Sequence, residues 1–320
     1  MPVLPPAAVE ARDGATCDRT RVMPPSSRPD CAWCGAALRD GKRLRGRIRC
    51  AACGAATTDP WPSTAELEAA YSGWYRPDEG RFSGLGDRFL RRTRASLAQR
   101  IDQVAPAGPV LDVGAGDGAL LAGLRARGRQ AVGLEREPSG SGTRQGEVGE
   151  QEHGAWAAAI FWHSLEHLPE PGAAIESVAP LLLPGGVTIV AVPNSASLQA
   201  HLFGDRWLAL DLPRHLVHLT AASLLSKLHS SGLRVERVSY LRGGQVVFGW
   251  LHGLVGLLPG HPSLYDAIRR PQARSAAMSA SQRWLVLAAA VLLLAPAALA
   301  SLVEVALGRG GTIYVEARRA

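Results

Sequence analysis

The stretch PVLDVGAGDGALLAGLRARG, residues 109–128, constrains the fold of this 320-residue chain more than any other. Val110–Val113, apolar at three of four positions, predict a buried strand. Glycines follow at alternate positions, and the leucines from Leu120 onward predict a helix. A strand that enters a helix through a glycine turn is typical of cofactor sites in doubly wound α/β proteins, because glycine lets backbone amides approach a ligand closely. The stretch therefore predicts a doubly wound α/β sheet with a cofactor at this turn.

Two carboxylates narrow the class of cofactor. The glycine spacing is G-x-G-x-G, which differs from the G-x-G-x-x-G fingerprint of nicotinamide sites. Asp112 stands just before the turn, where a carboxylate suits a positively charged ligand better than a pyrophosphate. The segment QAVGLERE predicts a second strand that ends at Glu135, whose carboxylate can accept hydrogen bonds from both ribose hydroxyls.

Five motifs carry a family resemblance: VLDVGAGDGALL, GLE, HSLEHLPEP, LLLPGGVTIVAVPN and DLPRHLVHLT. With them the chain resembles class I S-adenosylmethionine-dependent methyltransferases, and more narrowly the bacterial group (type 11/23-like) with an N-terminal zinc-binding module. The resemblance covers about residues 31–241 and the closing strand-like run. It implies a Rossmann-like, mostly parallel sheet with an antiparallel last strand, and S-adenosylmethionine as cofactor. It also implies that Asp112, Gly114 and Gly116 line the methionine end and that Glu135 holds the ribose. The cofactor-binding residues expected are Asp112, Gly114, Ala115, Gly116, Gly118, Glu135, Trp162 and His163.

The stretch FWHSLEHLPEPG, residues 161–172, contains H-x-x-E-H, which is also the motif of one class of zinc metalloproteases. Such a protease needs both histidines on one face of a helix. Here an apolar run precedes the motif and two prolines follow it, so the pattern predicts a loop after the fourth strand, at the edge where open α/β sheets bind ligands. The resemblance implies that Trp162 and His163 border the cofactor. Glu166 and His167 are either a functional pair, as proton acceptor or divalent-ion ligands, or a structural pair.

Methyl transfer from a sulfonium is an in-line displacement, so the acceptor must be aligned with the methyl group. A hydroxyl acceptor must also lose its proton, and histidine is the usual base near neutral pH. The motif DLPRHLVHLT places Arg214, His215 and His218 after the fifth strand, on the acceptor side of this fold. His215 is the expected base or acceptor ligand, and Asn194 is a further pocket candidate. The expected catalytic residues are His215, His163 and His167.

Four of the five cysteines follow the spacing C-x2-C-x15-C-x2-C; they are Cys31, Cys34, Cys50 and Cys53. Two knuckles with this spacing can present four thiolates to one tetrahedral Zn²⁺, and four thiolates leave no open position, so the expected site is structural. The alternative is four buried free thiols. The stretch RDGKRLRGRIR between the pairs can contact phosphate, but a solvated hairpin face explains it better.

The segment between Glu135 and Phe161 departs from the family pattern. Its 25 residues are mostly polar, whereas family members fit a helix and a strand there to hold the adenine. Glu147 is a weak candidate for a cofactor contact. The departure leaves open a catalytically inactive, membrane-associated scaffold with a methyltransferase fold.

Residues 245–307 form an apolar insertion before the closing strand. Residues 284–303 carry no charge over 20 positions, a length that can span a bilayer. The closing strand must return to the same sheet, so a single crossing is excluded. Translocating the intervening arginines would break the positive-inside rule, which favours a hairpin that dips into the cytoplasmic leaflet with those arginines at the headgroups. The alternative is a helix pair buried as a lid or as a dimer interface. The arginines are Arg269, Arg270, Arg274 and Arg283.

The predicted function is S-adenosylmethionine-dependent methylation, with a hydroxyl of a small or lipid-linked molecule as the acceptor. A net charge of +7 and a zinc module would also suit an RNA methyltransferase, but the apolar insertion and the absence of interleaved aromatic residues oppose nucleic acid as a partner. The paired cysteines, and a start without a secretory signal, favour a cytoplasmic location at the membrane surface.

The sequence divides into five predicted segments. They are a disordered tail (1–30), a zinc-ribbon module (31–58), a helical connector (59–105), a cofactor-binding methyltransferase domain (106–244 with 308–320) and the apolar helical insertion (245–307).

Overall fold

The computed structural model describes residues 28–72, 82, 84–138, 142–241 and 245–320. Most of the expected tail (residues 1–27), the lone Cys17 and part of the connector lie outside these residues. The strands are β1 (Lys42–Leu44), β2 (Arg47–Arg49), β3 (Ala56–Thr58), β4 (Val110–Val113), β5 (Ala131–Leu134), β6 (Thr143–Arg144), β7 (Trp156–Trp162), β8 (Leu182–Pro193), β9 (Val217–His218), β10 (Leu233–Ser239) and β11 (Thr312–Arg319). The α-helices are α1 (Thr64–Ala70), α2 (Leu85–Val104), α3 (Ala119–Arg125), α4 (Pro171–Glu176), α5 (Val178–Leu181), α6 (Leu198–Phe203), α7 (Ala221–Ser230), α8 (Gln245–Gly256), α9 (Leu264–Ile268) and α10 (Ala280–Ala306).

A seven-stranded sheet organises the fold, in the order β10-β11-β8-β7-β4-β5-β6. The strands from β8 to β6 pair in parallel, and β11 is antiparallel to both of its neighbours. The chain runs outward from β4 in both directions, so the switch point where open α/β sheets bind ligands lies between β4 and β7. This arrangement confirms the predicted Rossmann-like sheet with its antiparallel last strand.

The first strand–turn–helix unit forms where the sequence predicts it. All four residues of β4 are buried, and the leucines of α3 pack against the α2 residues Leu97 and Ile101. The third strand of this half, β6, has only two residues, and the described residues between β5 and β6 contain no helix. The polar segment after Glu135 therefore still forms the third strand of this half, but as a strand of only two residues.

The cysteine module does not stand apart from the sheet domain. Strands β1, β2 and β3 form a small sheet whose fourth member is β9, from the segment that carries the DLPRHLVHLT motif. Trp33 and Leu38 of the module share one hydrophobic core with Val217 and Leu219. The module and the acceptor-side segment consequently form one packed unit.

The insertion is a helical layer fixed to the sheet domain through α6. Its buried Glu304 carboxylate accepts hydrogen bonds from the backbone and side-chain amides of Gln199 (2.9 Å each) and from the Trp250 indole N–H (2.8 Å). These bonds tie the end of α10 to α6 and α8. Because a buried carboxylate is costly unless several donors satisfy it, the network fixes the position of α10 firmly.

One side of α10 is apolar and exposed. Among the described residues, α10 is the one helix long and apolar enough to cross a membrane, and 22% of its most apolar window is buried. Trp284 is 68% exposed and Leu292 is 81% exposed. We call this side the α10 apolar face; its large members are Trp284, Leu285, Val291, Leu292, Leu299, Leu302 and Val303.

The four arginines of the insertion are engaged within the protein. Arg269 is buried, with its guanidinium 4.9 Å from the centre of the Tyr265 ring. Arg270, Arg274 and Arg283 each donate from Nε to a backbone carbonyl. These contacts hold part of each guanidinium within the protein, while Arg270, Arg274 and Arg283 stay partly exposed.

Candidate functional site

The glycine turn after β4 adopts a conformation that favours glycine. Gly114, Gly116 and Gly118 all have positive φ angles, of 76°, 61° and 71°. A Cβ atom on Gly114 would lie 2.4 Å from the Cβ of Ser164, in the loop after β7. The turn therefore packs directly on the H-x-x-E-H loop, which brings the predicted cofactor end and the predicted catalytic histidines to one edge of the sheet.

Glu135 closes the turn from the end of β5. Its carboxylate accepts a hydrogen bond from the backbone N–H of Gly116 at 2.7 Å and another from Arg136 at 3.2 Å. The predicted acceptor of the ribose hydroxyls thus lies against the glycine turn, and its role in cofactor binding stays a prediction. Ala115 is buried behind the turn.

Asp112 is a buried carboxylate within β4. Burial raises its pKa to about 7; the charges of Glu135 and Asp117 add to the rise, and Arg94 opposes it. Below that pH the side chain is protonated in the free protein. A cationic ligand beside it would favour the ionised form and release the proton.

The loop after β7 presents the H-x-x-E-H residues. His163 has a positive φ of 52°, and Leu165–His167 form a single 3₁₀ turn. The Trp162 ring meets the His163 ring edge-on, with centroids 5.8 Å apart. The predicted loop is therefore present, and Trp162 and His163 lie beside the glycine turn, since Ser164 contacts Gly114.

Glu166 is the centre of a group of histidines. It is only 2% exposed, and its Oε1 lies 3.5 Å from His163 Nδ1 and 3.9 Å from His215 Nε2. Burial raises its pKa, but the contact with His163 and the charges of His215 and His167 outweigh burial and hold the pKa below its ordinary value. Within the described residues, neither carboxylate oxygen has a hydrogen-bond partner. A buried ionised carboxylate of this kind requires a nearby positive charge.

His215 has one nitrogen committed and one available. Nδ1 lies 2.9 Å from the carbonyl oxygen of Ala209, and because a carbonyl can only accept, Nδ1 carries a proton. Nε2 faces two carboxylates, 3.7 Å from Asp211 Oδ2 and 3.9 Å from Glu166 Oε1. Burial raises the pKa of Asp211, and the charge of His215 and the Arg214 hydrogen bond lower it below its ordinary value. Two ionised carboxylates would stabilise an imidazolium at His215.

His167 is held more tightly. Its Nδ1 lies 3.0 Å from the carbonyl oxygen of Arg214 and 2.8 Å from the Tyr71 hydroxyl, and its ring meets that of His215 edge-on at 4.6 Å. Burial and the charge of His215 lower its pKa to about 4. A neutral, doubly contacted imidazole of this kind positions its neighbours. One ligand atom each of Glu166, His167 and His215 lie within 4.8 Å of one another, so the trio can also hold a metal ion.

The remaining candidates lie away from this group. Asn194 is buried and satisfied by backbone, because it donates to Gly310 and accepts from Ala196. Glu147 is exposed and caps a 3₁₀ turn at Val148–Glu150.

Sequence reasoning missed two members of the group, Tyr71 and Asp211. Asp211 stands four residues before His215 within the quoted motif, so helical spacing of an acid and a histidine was a usable signal. Tyr71 follows α1, and no local pattern marks it because its partner is 96 positions away.

The four cysteines form a compact cluster. The Sγ atoms of Cys31 and Cys53 are 3.7 Å apart, as are those of Cys34 and Cys50, and all four lie within 4.8 Å of one another. Tetrahedral zinc with Zn–S bonds of about 2.3 Å requires sulfur separations of roughly 3.8 Å, so the donor set fits zinc. The side-chain hydrogen bond from Cys53 lowers the pKa of Cys31, which favours the thiolate form that zinc binds.

Comparisons with known proteins identify methyltransferases as proteins similar to this chain in sequence. A protein-family model described as a methyltransferase domain matches residues 86–238. A ubiquinone biosynthesis O-methyltransferase of Xanthomonas axonopodis pv. citri is 29% identical over 209 residues, 55% of this chain and 87% of that protein. A protein of the same name from Xanthomonas campestris pv. campestris is 24% identical over 206 residues, 54% of this chain and 86% of that protein.

Solved structures with a similar fold share less sequence. A geranyl diphosphate C-methyltransferase from Streptomyces coelicolor A3(2) is 13% identical, with a TM-score of 0.46 over 81% of this chain and 100% of that one. A SAM-dependent methyltransferase from Archaeoglobus fulgidus is 14% identical, with a TM-score of 0.45 over 71% of this chain and 93% of that one.

Proposed function

Since this chain is a class I S-adenosylmethionine-dependent methyltransferase, we propose that it methylates a hydroxyl group on a small amphipathic or lipid-linked molecule at the cytoplasmic face of a membrane. The observation that carries the proposal is the packing of Gly114 on Ser164, which sets the cofactor turn beside the Glu166–His215 group.

The residues of the turn fit the cofactor. The positive-φ glycines keep side chains off the turn, Glu135 offers a carboxylate to the ribose hydroxyls, and Asp112 offers a buried carboxylate near the cationic end. When bound, S-adenosylmethionine supplies an electrophilic methyl group. Trp162 and His163, beside the glycine turn, would border the methionine end of the bound cofactor.

His215 is the proposed base. In its neutral form Nε2 accepts the proton of the acceptor hydroxyl. The resulting imidazolium carries the charge that lowers the pKa values of Glu166 and Asp211, and its Nε2 lies 3.9 Å and 3.7 Å from their carboxylates. Base assistance of this kind typically contributes about 10²–10⁴-fold to a rate. His163 stabilises the ionised carboxylate of Glu166, and His167 positions His215 through the contact between their rings. The four cysteines are proposed to hold a structural Zn²⁺.

A cavity beside Asp211 supports an amphipathic acceptor. Its volume is about 480 Å³. Phe203, Trp207 and Leu210 supply apolar walls, and Arg45 and Arg206 are among its charged lining residues. A pocket that combines apolar walls with charged groups suits a molecule that has an apolar body and a polar head. The curated relatives, named for ubiquinone biosynthesis, agree with an acceptor of this class.

The test of the proposed reaction is transfer of a labelled methyl group to lipid. Purified protein would be incubated with methyl-labelled S-adenosylmethionine and a bacterial lipid extract, and the organic phase counted and analysed by mass spectrometry. We expect a labelled product whose methyl group is on oxygen. Transfer to RNA in place of lipid, or to neither, would contradict the proposal.

The α10 apolar face is the proposed membrane contact. The helix is about 40 Å long at 1.5 Å per residue, and large apolar side chains follow its exposed side from Trp284 to Val303. An exposed apolar helix face of this length is typical of helices that lie in the plane of the interface, and Trp284 belongs to the residue type enriched at that level.

We expect Leu285→Glu with Leu292→Glu to weaken binding to anionic phospholipid vesicles by at least about 100-fold, because two large side chains lose their burial in lipid. Flotation of the full chain with phosphatidylglycerol vesicles measures this. The matched control is Phe89→Glu with Leu241→Glu, which charges exposed apolar residues elsewhere. If the wild-type protein fails to float and sediments as a dimer that the double variant dissociates, the face is a dimer interface.

A further inference from the structure

Backbone hydrogen bonds connect the cysteine module to the catalytic group. The N–H of Thr58, at the end of β3, donates to the carbonyl of Leu216 at 3.0 Å, and the N–H of Leu216 donates to the carbonyl of Glu166 at 2.8 Å. Two consecutive backbone hydrogen bonds thus join three segments: the module, the His215 segment and the H-x-x-E-H loop. A shift of β3 would consequently move both loops that carry the catalytic group.

The side chain of Thr58 adds two bonds to the same segment. Its buried hydroxyl donates to the carbonyl of His215 at 2.7 Å, which leaves its oxygen to accept from Nε2–H of His218 at 3.1 Å. Thr58 therefore binds both the backbone of His215 and the side chain of His218.

The adjacent threonine reaches the cysteine cluster. Thr57 accepts a hydrogen bond from the N–H of Ala32 at 3.1 Å, and its hydroxyl lies 3.8 Å from Cys31 Sγ in donating geometry. A second contact joins the module to the start of α4, the helix after the H-x-x-E-H loop, because a Cβ on Gly172 would lie 2.1 Å from the carbonyl oxygen of Trp33. The knuckle at Cys31–Cys34 therefore contacts both β3 and α4, the two elements that adjoin the catalytic loops.

We propose that the metal-loaded cysteine cluster positions the catalytic group, with Thr57 and Thr58 as the connection and Thr58 as the positioning residue for His215. The inference rests on the proposed role of His215, but the position of the loop can be measured without turnover.

The test is hydrogen–deuterium exchange of the full-length, zinc-loaded protein. We expect Thr58→Val to speed exchange in residues 211–219 about tenfold, because two buried partners lose their hydrogen bonds. Exchange in residues 110–118 and the affinity for S-adenosylhomocysteine should stay at wild-type values. Thr58→Ser keeps the hydroxyl and should restore slow exchange. The matched control is Thr188→Val, which removes a buried threonine hydroxyl bonded to Ala159 in the central sheet and should leave residues 211–219 unchanged.

Removal of zinc by a chelator is a second experiment, and it tests the positioning role even if Thr58→Val fails to fold. Faster exchange in 211–219 with slow exchange kept in 110–118, reversed by adding zinc, supports positioning by the metal. Wild-type exchange in 211–219 after zinc loss, or an equal rise in both segments, overturns it. If lipid methylation itself is absent in the wild-type protein, the proposed function fails, and these exchange results still decide the positioning role.

Discussion

Replacing Glu135 by alanine is expected to weaken the binding of S-adenosylhomocysteine about 100-fold, since hydrogen bonds to a charged acceptor are worth roughly 1.5–3 kcal/mol each. The carboxylate is held over the glycine turn by the N–H of Gly116. In the complex it would accept from the two ribose hydroxyls, and both of those bonds are lost in the variant. Isothermal titration calorimetry on detergent-purified protein measures the effect.

The matched control for this prediction is Glu137→Ala. Glu137 is an exposed carboxylate two residues away, outside the turn, so its removal changes the local charge equally and should leave the affinity unchanged. If both variants weaken S-adenosylhomocysteine binding equally, the effect comes from the loss of a negative charge and not from hydrogen bonds to Glu135. Wild-type affinity in Glu135→Ala would place the ribose elsewhere.

Replacing His215 by glutamine should lower kcat for lipid methylation by about 10²–10⁴-fold, the usual contribution of a general base. The affinity for S-adenosylhomocysteine should be kept, because the ring of His215 faces Asp211 and Glu166 rather than the glycine turn. The labelled-methyl assay with lipid extract measures the rate. His229→Gln is the matched control, since His229 is exposed on α7.

The neighbouring histidines separate the possible roles. His167→Gln should reduce kcat less than His215→Gln, because His167 acts through its contact with His215. A full rate in His215→Gln together with a large loss in His163→Gln would transfer the role of base to His163. His163 is a real competitor in this comparison, because it lies closer to Glu166 than His215 does.

The sheet and its cofactor edge were predictable from local pattern. The run VLDV, the glycines and the leucines each favour the same local structure, so β4, the turn and α3 formed as predicted. The loop character of H-x-x-E-H followed in the same way from the apolar run before it and the prolines after it. These features depend on neighbours within a few positions along the chain.

What escaped prediction depends on contacts distant in sequence. The bond from Tyr71 to His167 and the pairing of β3 with β9 join segments about 100 or more positions apart, and neither leaves a periodic signal. The placement of the insertion arginines at lipid headgroups stays a prediction. Their bonds to backbone carbonyls, of which Arg270 makes one to Phe82 and Arg283 one to Ala267, leave no signal in the sequence. The roles assigned to individual site residues therefore remain proposals that the variants above would test.

The position of β11 has a consequence for synthesis on the ribosome. This strand lies between β8 and β10 in the sheet but follows both of them, and the whole insertion, along the chain. At about 5–20 residues per second, translation leaves β8 with an unpaired edge for several seconds after β10 has emerged. During that interval the apolar helix α10 leaves the exit tunnel before the sheet can close. A nascent chain with this order of elements must therefore cover α10 with a membrane surface or a chaperone while its sheet is still open.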